Sequence, residues 1–126
     1  MSIVLDAWAV VAMFKGESAG TRVRAAIAEE DASMSSINVG EAYYVLVPNF
    51  EEWRVDDAVR ELRRQVRVID PDFELVLLAA SIKASRKLSY ADAFCVATAQ
   101  RHRAPLWTGD PEIVALGDLV EVVDLR

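Results

Sequence analysis

A chain of 126 residues, 53% of them hydrophobic and 27% charged, can bury one real core, is too short for two ordinary domains and shows no compositional sign of disorder. Its net charge of −6 argues against a simple basic clamp on nucleic acid, although divalent ions bound by some of its acids would reverse the local sign. The longest early apolar stretch, Ala7 to Phe14, is too short to span a bilayer and follows no basic segment, so neither a membrane helix nor an export signal is expected.

Ser2 to Leu5 reads as a short buried strand ending at Asp6, with a helix over Ala7 to Phe14 stopped by Lys15-Gly16-Glu17. Ser18 is placed to cap a second helix running to about Asp31, whose Val23, Ala26 and Ile27 recur at helical spacing. Ala32 to Ile37 is expected as the second strand, and Asn38 with Glu41 as the capping box of a helix from Val39 to about Val47, halted ahead of Pro48. Asp56 to Gln65 is a helix with arginines on one face, and Arg67 to Ile69 a third strand. Asp70-Pro71 opens an amphipathic helix reaching about Arg86, and Ser89 with Asp92 opens the next, which ends near His102. Pro105 to Thr108 is a fourth strand leading to Asp110-Pro111, a helix-start signal, and Leu119 to Val123 is a fifth. Strands alternating with helices imply a parallel sheet covered on both faces.

Four acids stand where a strand ends or a helix begins: Asp6, Glu41, Asp92 and Asp110. Along a parallel sheet these positions share one edge, so residues remote in sequence can meet there. Each alone has an ordinary reading as a helix cap, worth ~1 kcal/mol. Two carboxylates about 4 Å apart repel by roughly 4 kcal/mol at an effective dielectric near 20, a cost that uncharged caps avoid. If the four converge, either some stay protonated or a cation compensates them.

The order VLDAWAVVAMFKGE, INVGEAYY, LSYADAFCVATA, TGD and a terminal hydrophobic strand resembles the PIN domain, in particular the VapC-like toxin ribonucleases of type II toxin–antitoxin systems, over essentially the whole chain. That resemblance implies a three-layer α/β/α fold with a mostly parallel five-stranded sheet, formed by residues 1–126 as a single PIN domain. It implies a Mg²⁺- or Mn²⁺-dependent endoribonuclease restrained by a cognate VapB-like antitoxin. By motif match Asp6, Glu41, Asp92 and Asp110 take the acidic, metal-holding positions, with Asn38, Ser89 and Thr108 as polar support; placement at a strand end and a helix start makes Asp6 and Asp92 the candidates for direct ligands, with Glu41 and Asp110 completing the site through the ion, a second ion or its water. Ala7 departs from the pattern, since many relatives carry Ser or Thr after the first acid. A hydroxyl contact is lost there, but no ligand.

The remaining chemistry-bearing residues have plainer readings. Cys95 is the only cysteine, which excludes an internal disulfide, favours a packing role and fits a reducing cytoplasm. His102, between Arg101 and Arg103 at a helix end, suits a dipole contact better than catalysis. Trp8 and Trp107 adjoin core segments, whereas Trp53, in the Asn49 to Arg54 connection, is the aromatic most open to an exposed contact. Tyr43 and Tyr44, with Val45 to Pro48, suit either the core or a surface for an antitoxin or a second copy, the homodimer being the expected assembly. The group Arg60, Arg63, Arg64 and Arg67 reads first as a solvated helix face.

Competing readings lack their own signatures. A haloacid-dehalogenase-type enzyme wants a second acid two positions after the first, where Trp8 stands. A receiver domain wants an acidic pair near the first strand and a lysine after the last, and has neither. A stand-alone RNA-processing nuclease and a catalytically silent scaffold stay open.

Overall fold

The computed structural model describes residues 1–126. Five strands, β1 (Ser2–Leu5), β2 (Asp31–Ser35), β3 (Arg67–Ile69), β4 (Leu106–Thr108) and β5 (Val122–Asp124), form one sheet in the order β3-β2-β1-β4-β5. Every neighbouring pair is parallel, with Val4 opposite Ser33 on one side and Leu106 on the other. Seven helices connect them: α1 (Ala7–Lys15), α2 (Ser18–Glu29), α3 (Ser36–Leu46), α4 (Glu52–Gln65), α5 (Phe73–Ser85), α6 (Tyr90–His102) and α7 (Pro111–Val114).

Alternation along β1 divides the core into two layers, because successive side chains of a strand point to opposite faces. Val4 joins Leu106 under α5, α6 and the turn after α7, against Leu75, Ile82, Phe94, Val96 and Ile113. Ile3 and Leu5 pack on the other face with Met34 of β2 and with Val10, Val23, Ala42 and Leu62 from α1 to α4. Each such side chain withdrawn from water stabilises the fold by about 1.5–3 kcal/mol, so the two clusters fix the strand ends that carry the acids.

Helix boundaries depart from the sequence reading in instructive ways. Ser18 is the first residue of α2 and no side chain caps that helix, Glu17 standing at its N-cap. Ser36 and Ile37 belong to α3 rather than to β2, because Ser35 Oγ accepts the Ile37 amide at 3.2 Å and starts the helix three residues earlier. Asn38 is therefore inside the helix and caps nothing. Trp53 lies in the first turn of α4, not in a connection, and Pro48 sits in a 3-10 turn over Val47–Asn49. The fifth strand is Val122–Asp124, while Leu119 and Val120 turn inward on the α5–α7 core.

Candidate active site

From β1 the chain steps outward through β2 to β3, then returns to lay β4 and β5 on the other side of β1. The connections leaving β1 and β4 thus diverge, opening a crevice at the carboxyl ends of these strands, where ligands of open α/β sheets bind. Asp6 follows β1 and caps α1, accepting the Ala9 amide on Oδ1 at 2.9 Å. Asp110 follows β4 and caps α7, accepting the Glu112 amide at 2.9 Å. Asp92 lies in the first turn of α6, whose N-cap Ser89 accepts the Asp92 amide at 3.1 Å, and Glu41 lies midway along α3.

Neutral side chains tie these acids together. The Thr108 hydroxyl donates to Asp6 Oδ2 and accepts the Asp110 amide at 3.0 Å, so one residue links the first acid to the fourth. Asn38, fully buried, donates through Nδ2 to Glu41 Oε1 at 3.2 Å and to the Ala91 carbonyl at 2.9 Å. It thereby fastens the second acid to the turn that carries the third. Its Oδ1 has no partner although buried, the kind of orphan acceptor that a polar site tolerates and a dry core does not.

Electrostatics report the crowding. Burial pushes the Asp6 carboxyl up to about 7, opposed by the Thr108 and Ala9 hydrogen bonds and reinforced by the charges of Asp92 and Glu41. Asp92 rises to about 6, first from burial and then from Asp110 and Glu41. Glu41 is raised by burial and by Asp110, against the Asn38 hydrogen bond. None of the four takes part in any of the molecule's six ion pairs. Burial of these carboxylates, reinforced by their repulsion and relieved by no cation, is destabilising, and groups held at that cost are candidates for function.

As the rotamers lie, no three Asp, Glu, His or Cys side chains stand close enough together to grip one ion. The carboxylates are gathered within electrostatic reach without closing into a cage. An all-oxygen, partly open donor set with no competing cation fits Mg²⁺ or Mn²⁺, which keep several waters and take few protein ligands. Glu112, which also raises Asp92, is a further acid at this edge that the sequence reading passed over. Its signal was its place two residues after Asp110, in the first turn of α7.

Other expected residues fall elsewhere. Cys95 is buried, donating to the Asp92 carbonyl at 3.0 Å, and burial with the nearby acids pushes its thiol well up, so it is unreactive packing. His102 is exposed at the end of α6. The Trp8 ring lies so close against Gly109 that a side chain there would run into it, and the Arg22 guanidinium stands 5.3 Å over Trp107. Trp53 is 60% exposed and Tyr44 64%, while Tyr43 lines an apolar cleft of about 260 Å³ between α1, α3 and α4. Arg60 and Arg64 pair with Asp57 and Glu61 on their own helix, as a solvated face does. No helix is long and apolar enough to cross a membrane.

The family model of the PIN domain matches residues 3–119. No curated protein sequence matches the chain. Among solved structures it is similar to the DNA-bound VapBC of Salmonella typhimurium, with a TM-score of 0.78 and 14% identity over 100% of this chain and 99% of that one. It is similar to VapC20 of Mycobacterium tuberculosis, described as a sarcin-ricin loop cleaving toxin, with a TM-score of 0.77 and 19% identity over 91% and 95%. A toxin–antitoxin complex from Klebsiella pneumoniae aligns with a TM-score of 0.75 and 22% identity over 98% of each chain. At these identities the likeness is one of fold.

Proposed function

The chain belongs to the PIN domain family, and from that premise we propose that it is a metal-dependent endoribonuclease, the toxin of a type II toxin–antitoxin pair. In this reading residues 1–126 form one catalytic domain that works as a homodimer in the cytoplasm until a VapB-like antitoxin restrains it. Support comes from the family and from the similar folds, which include VapBC assemblies and an RNA-loop-cleaving toxin. The observation that carries it is the group of unpaired, mutually raised carboxylates at the crevice between β1 and β4.

Asp6 and Asp92 are the residues to hold the ion directly, being the most buried of the four, with Glu41 and Asp110 completing the site. Bound there, Mg²⁺ or Mn²⁺ supplies Lewis acidity toward a phosphodiester and a water of lowered pKa. The chain's own part is preorganisation. Thr108 fixes the Asp6 carboxylate, Asn38 fixes Glu41 against the first turn of α6, and Ser89 anchors the Asp92 backbone. Held this way, the backbones that carry the acids are fixed in advance, and only side-chain rotation is left for the carboxylates to close on an ion.

The test is cleavage of a labelled RNA with Mn²⁺ or Mg²⁺, with EDTA as the control. Asp6→Asn and Asp92→Asn each lower the rate on the order of 100-fold or more at unchanged fold, and Thr108→Val by about 10–100-fold. Full activity of both Asn variants overturns the assignment. A silent scaffold would bind no Mn²⁺ and cut nothing.

A further inference from the structure

Between α3, α4 and β3 the surface opens into a polar cavity of about 460 Å³ that none of the four acids lines. Arg63 of α4 and Arg67 of β3 line it, with Ser36 at the start of α3 and Asp70 just past β3, over a floor that includes Val39 and Val66. Of the four arginines in this stretch, Arg60 and Arg64 are neutralised by Asp57 and Glu61 on their own helix. Arg63 and Arg67 are exposed and take part in none of the six ion pairs, and neither does Asp70. Two guanidiniums that face one space, with no carboxylate closed on either, present an open fork to an anion. The planar N–H pattern of arginine matches the oxygens of a phosphate.

The geometry points to a ribonucleotide subsite: a phosphate of the bound RNA strand sits on Arg63 and Arg67, its nucleoside lies over the valine floor, and Asp70 accepts the ribose 2′-hydroxyl. This rests on the RNA-cleaving reading above and names where the strand runs beyond the acids. Strand register supplies the connection. Val4 stands opposite Ser33 and Ser35 opposite Ile69, so the parallel strands end level, with Asp6 just past β1 and Asp70 just past β3. Only β2 lies between those two strands. Two strand spacings set them about 10 Å apart, the rise of about three nucleotides stacked at ~3.4 Å each. Helix α3 starts on the same edge and serves both places, with Asn38 and Glu41 on its face toward α6 and Ser36 and Val39 on its face toward the cavity. At the helical turn of about 100° per residue, Ile37 and Gly40 fall between those faces, and both are exposed and uncharged. A strand passing from the acids to the cavity therefore crosses α3 without meeting a carboxylate. Phosphate contacts supply most sequence-independent affinity, and a substrate drawn toward four carboxylates needs cations for its neighbouring phosphates. Asp70 is a poor partner for a phosphate and a good acceptor for a hydroxyl, and the 2′-hydroxyl is the group by which a protein tells RNA from DNA.

Fluorescence anisotropy of a labelled single-stranded RNA, and of the DNA of the same sequence, in EDTA so that neither is cut, reads this subsite apart from catalysis. The wild type binds the RNA several-fold tighter than the DNA. Arg63→Gln and Arg67→Gln each weaken RNA binding by about 5–10-fold at low salt, and each reduces the slope of log affinity against log salt by ~0.7, the loss of one phosphate contact on a single strand. Arg60→Gln, at a side chain already paired with Asp57, changes neither. Asp70→Ala draws the two affinities together, the DNA gaining and the RNA losing. All four positions are exposed, and circular dichroism shows the fold intact. Arginine variants that leave the salt slope unchanged, or an equal loss from Arg60→Gln, overturn the subsite while the RNA-cleaving reading stands. A preference for RNA that survives Asp70→Ala overturns the ribose contact. A wild type that binds no RNA overturns the subsite, and one that also cuts none with Mn²⁺ overturns the reading beneath it.

Discussion

Asp6 is 3% exposed and accepts two hydrogen bonds, yet its carboxyl is pushed up to about 7, because burial outweighs both bonds. The folded state therefore binds its proton more tightly than the unfolded state, whose carboxyl titrates near 3.8. Between these values the folded chain holds more protons, so stability falls as pH rises, and the whole penalty is present above about 7. Asparagine removes the charge while keeping an acceptor for the Ala9 amide. In EDTA, Asp6→Asn melts above the wild type at pH 8, by roughly 2–4 kcal/mol in stability, and the gap closes toward pH 4. Thermal melts across that range check it. A variant no more stable than the wild type at pH 8 contradicts a charged, unrelieved Asp6.

At the level of elements, α6 ends in a residue that pays for its position. Arg103 takes φ 50 in the left-handed region so that its amide reaches the Ala99 and Gln100 carbonyls, a conformation glycine adopts without crowding a Cβ. Gly16 fills the same role after α1 with φ 70. Arg103→Gly should stabilise the chain by about 1 kcal/mol, read as a higher melting temperature, and leave RNA cleavage unchanged. Nothing in Arg101-His102-Arg103 announces that cap. The strands and most helices were legible, since β1, α1, α6 and the Asp110-Pro111 start follow from periodicity and capping chemistry alone. Misreadings fell where a local pattern competed with a remote contact. Asn38 and Glu41 have capping-box spacing, but the Asn38 amide is committed to Ala91, fifty-three positions away, a link no local pattern contains. Leu119 and Val120 look like strand and are instead drawn to the core around α5 and α6. The same limit applies to the candidate site: the four acids were visible, three of them at element ends as expected and Glu41 instead midway along α3, whereas Thr108 as the link between Asp6 and Asp110, and Glu112 beside Asp92, needed the sheet to be assembled.

Over the whole molecule, a net charge of −6 and several carboxylates with raised pKa combine into one linkage argument. Any cation held by these groups competes with protons for the same oxygens. At pH 8 Asp6 and Asp92, pushed to about 7 and about 6, are largely ionised and the full affinity is available. At pH 5 both are protonated, and apparent affinity falls on the order of 1,000-fold, a factor of about 100 from the first and about 10 from the second. Because a ligand stabilises only the state it binds, Mn²⁺ at about 100 times its dissociation constant adds roughly 2.7 kcal/mol to the folded chain. Mn²⁺ should therefore raise the melting temperature clearly at pH 8 and hardly at pH 5, with Asp92→Asn flattening the pH 8 response. This sign is opposite to the metal-free behaviour, in which acid relieves the carboxylates and the chain gains stability from this source as pH falls. An equal Mn²⁺ shift at both pH values, or one that survives Asp92→Asn and Asp6→Asn alike, would place the ion on ordinary surface acids and remove the link between the buried carboxylates and metal.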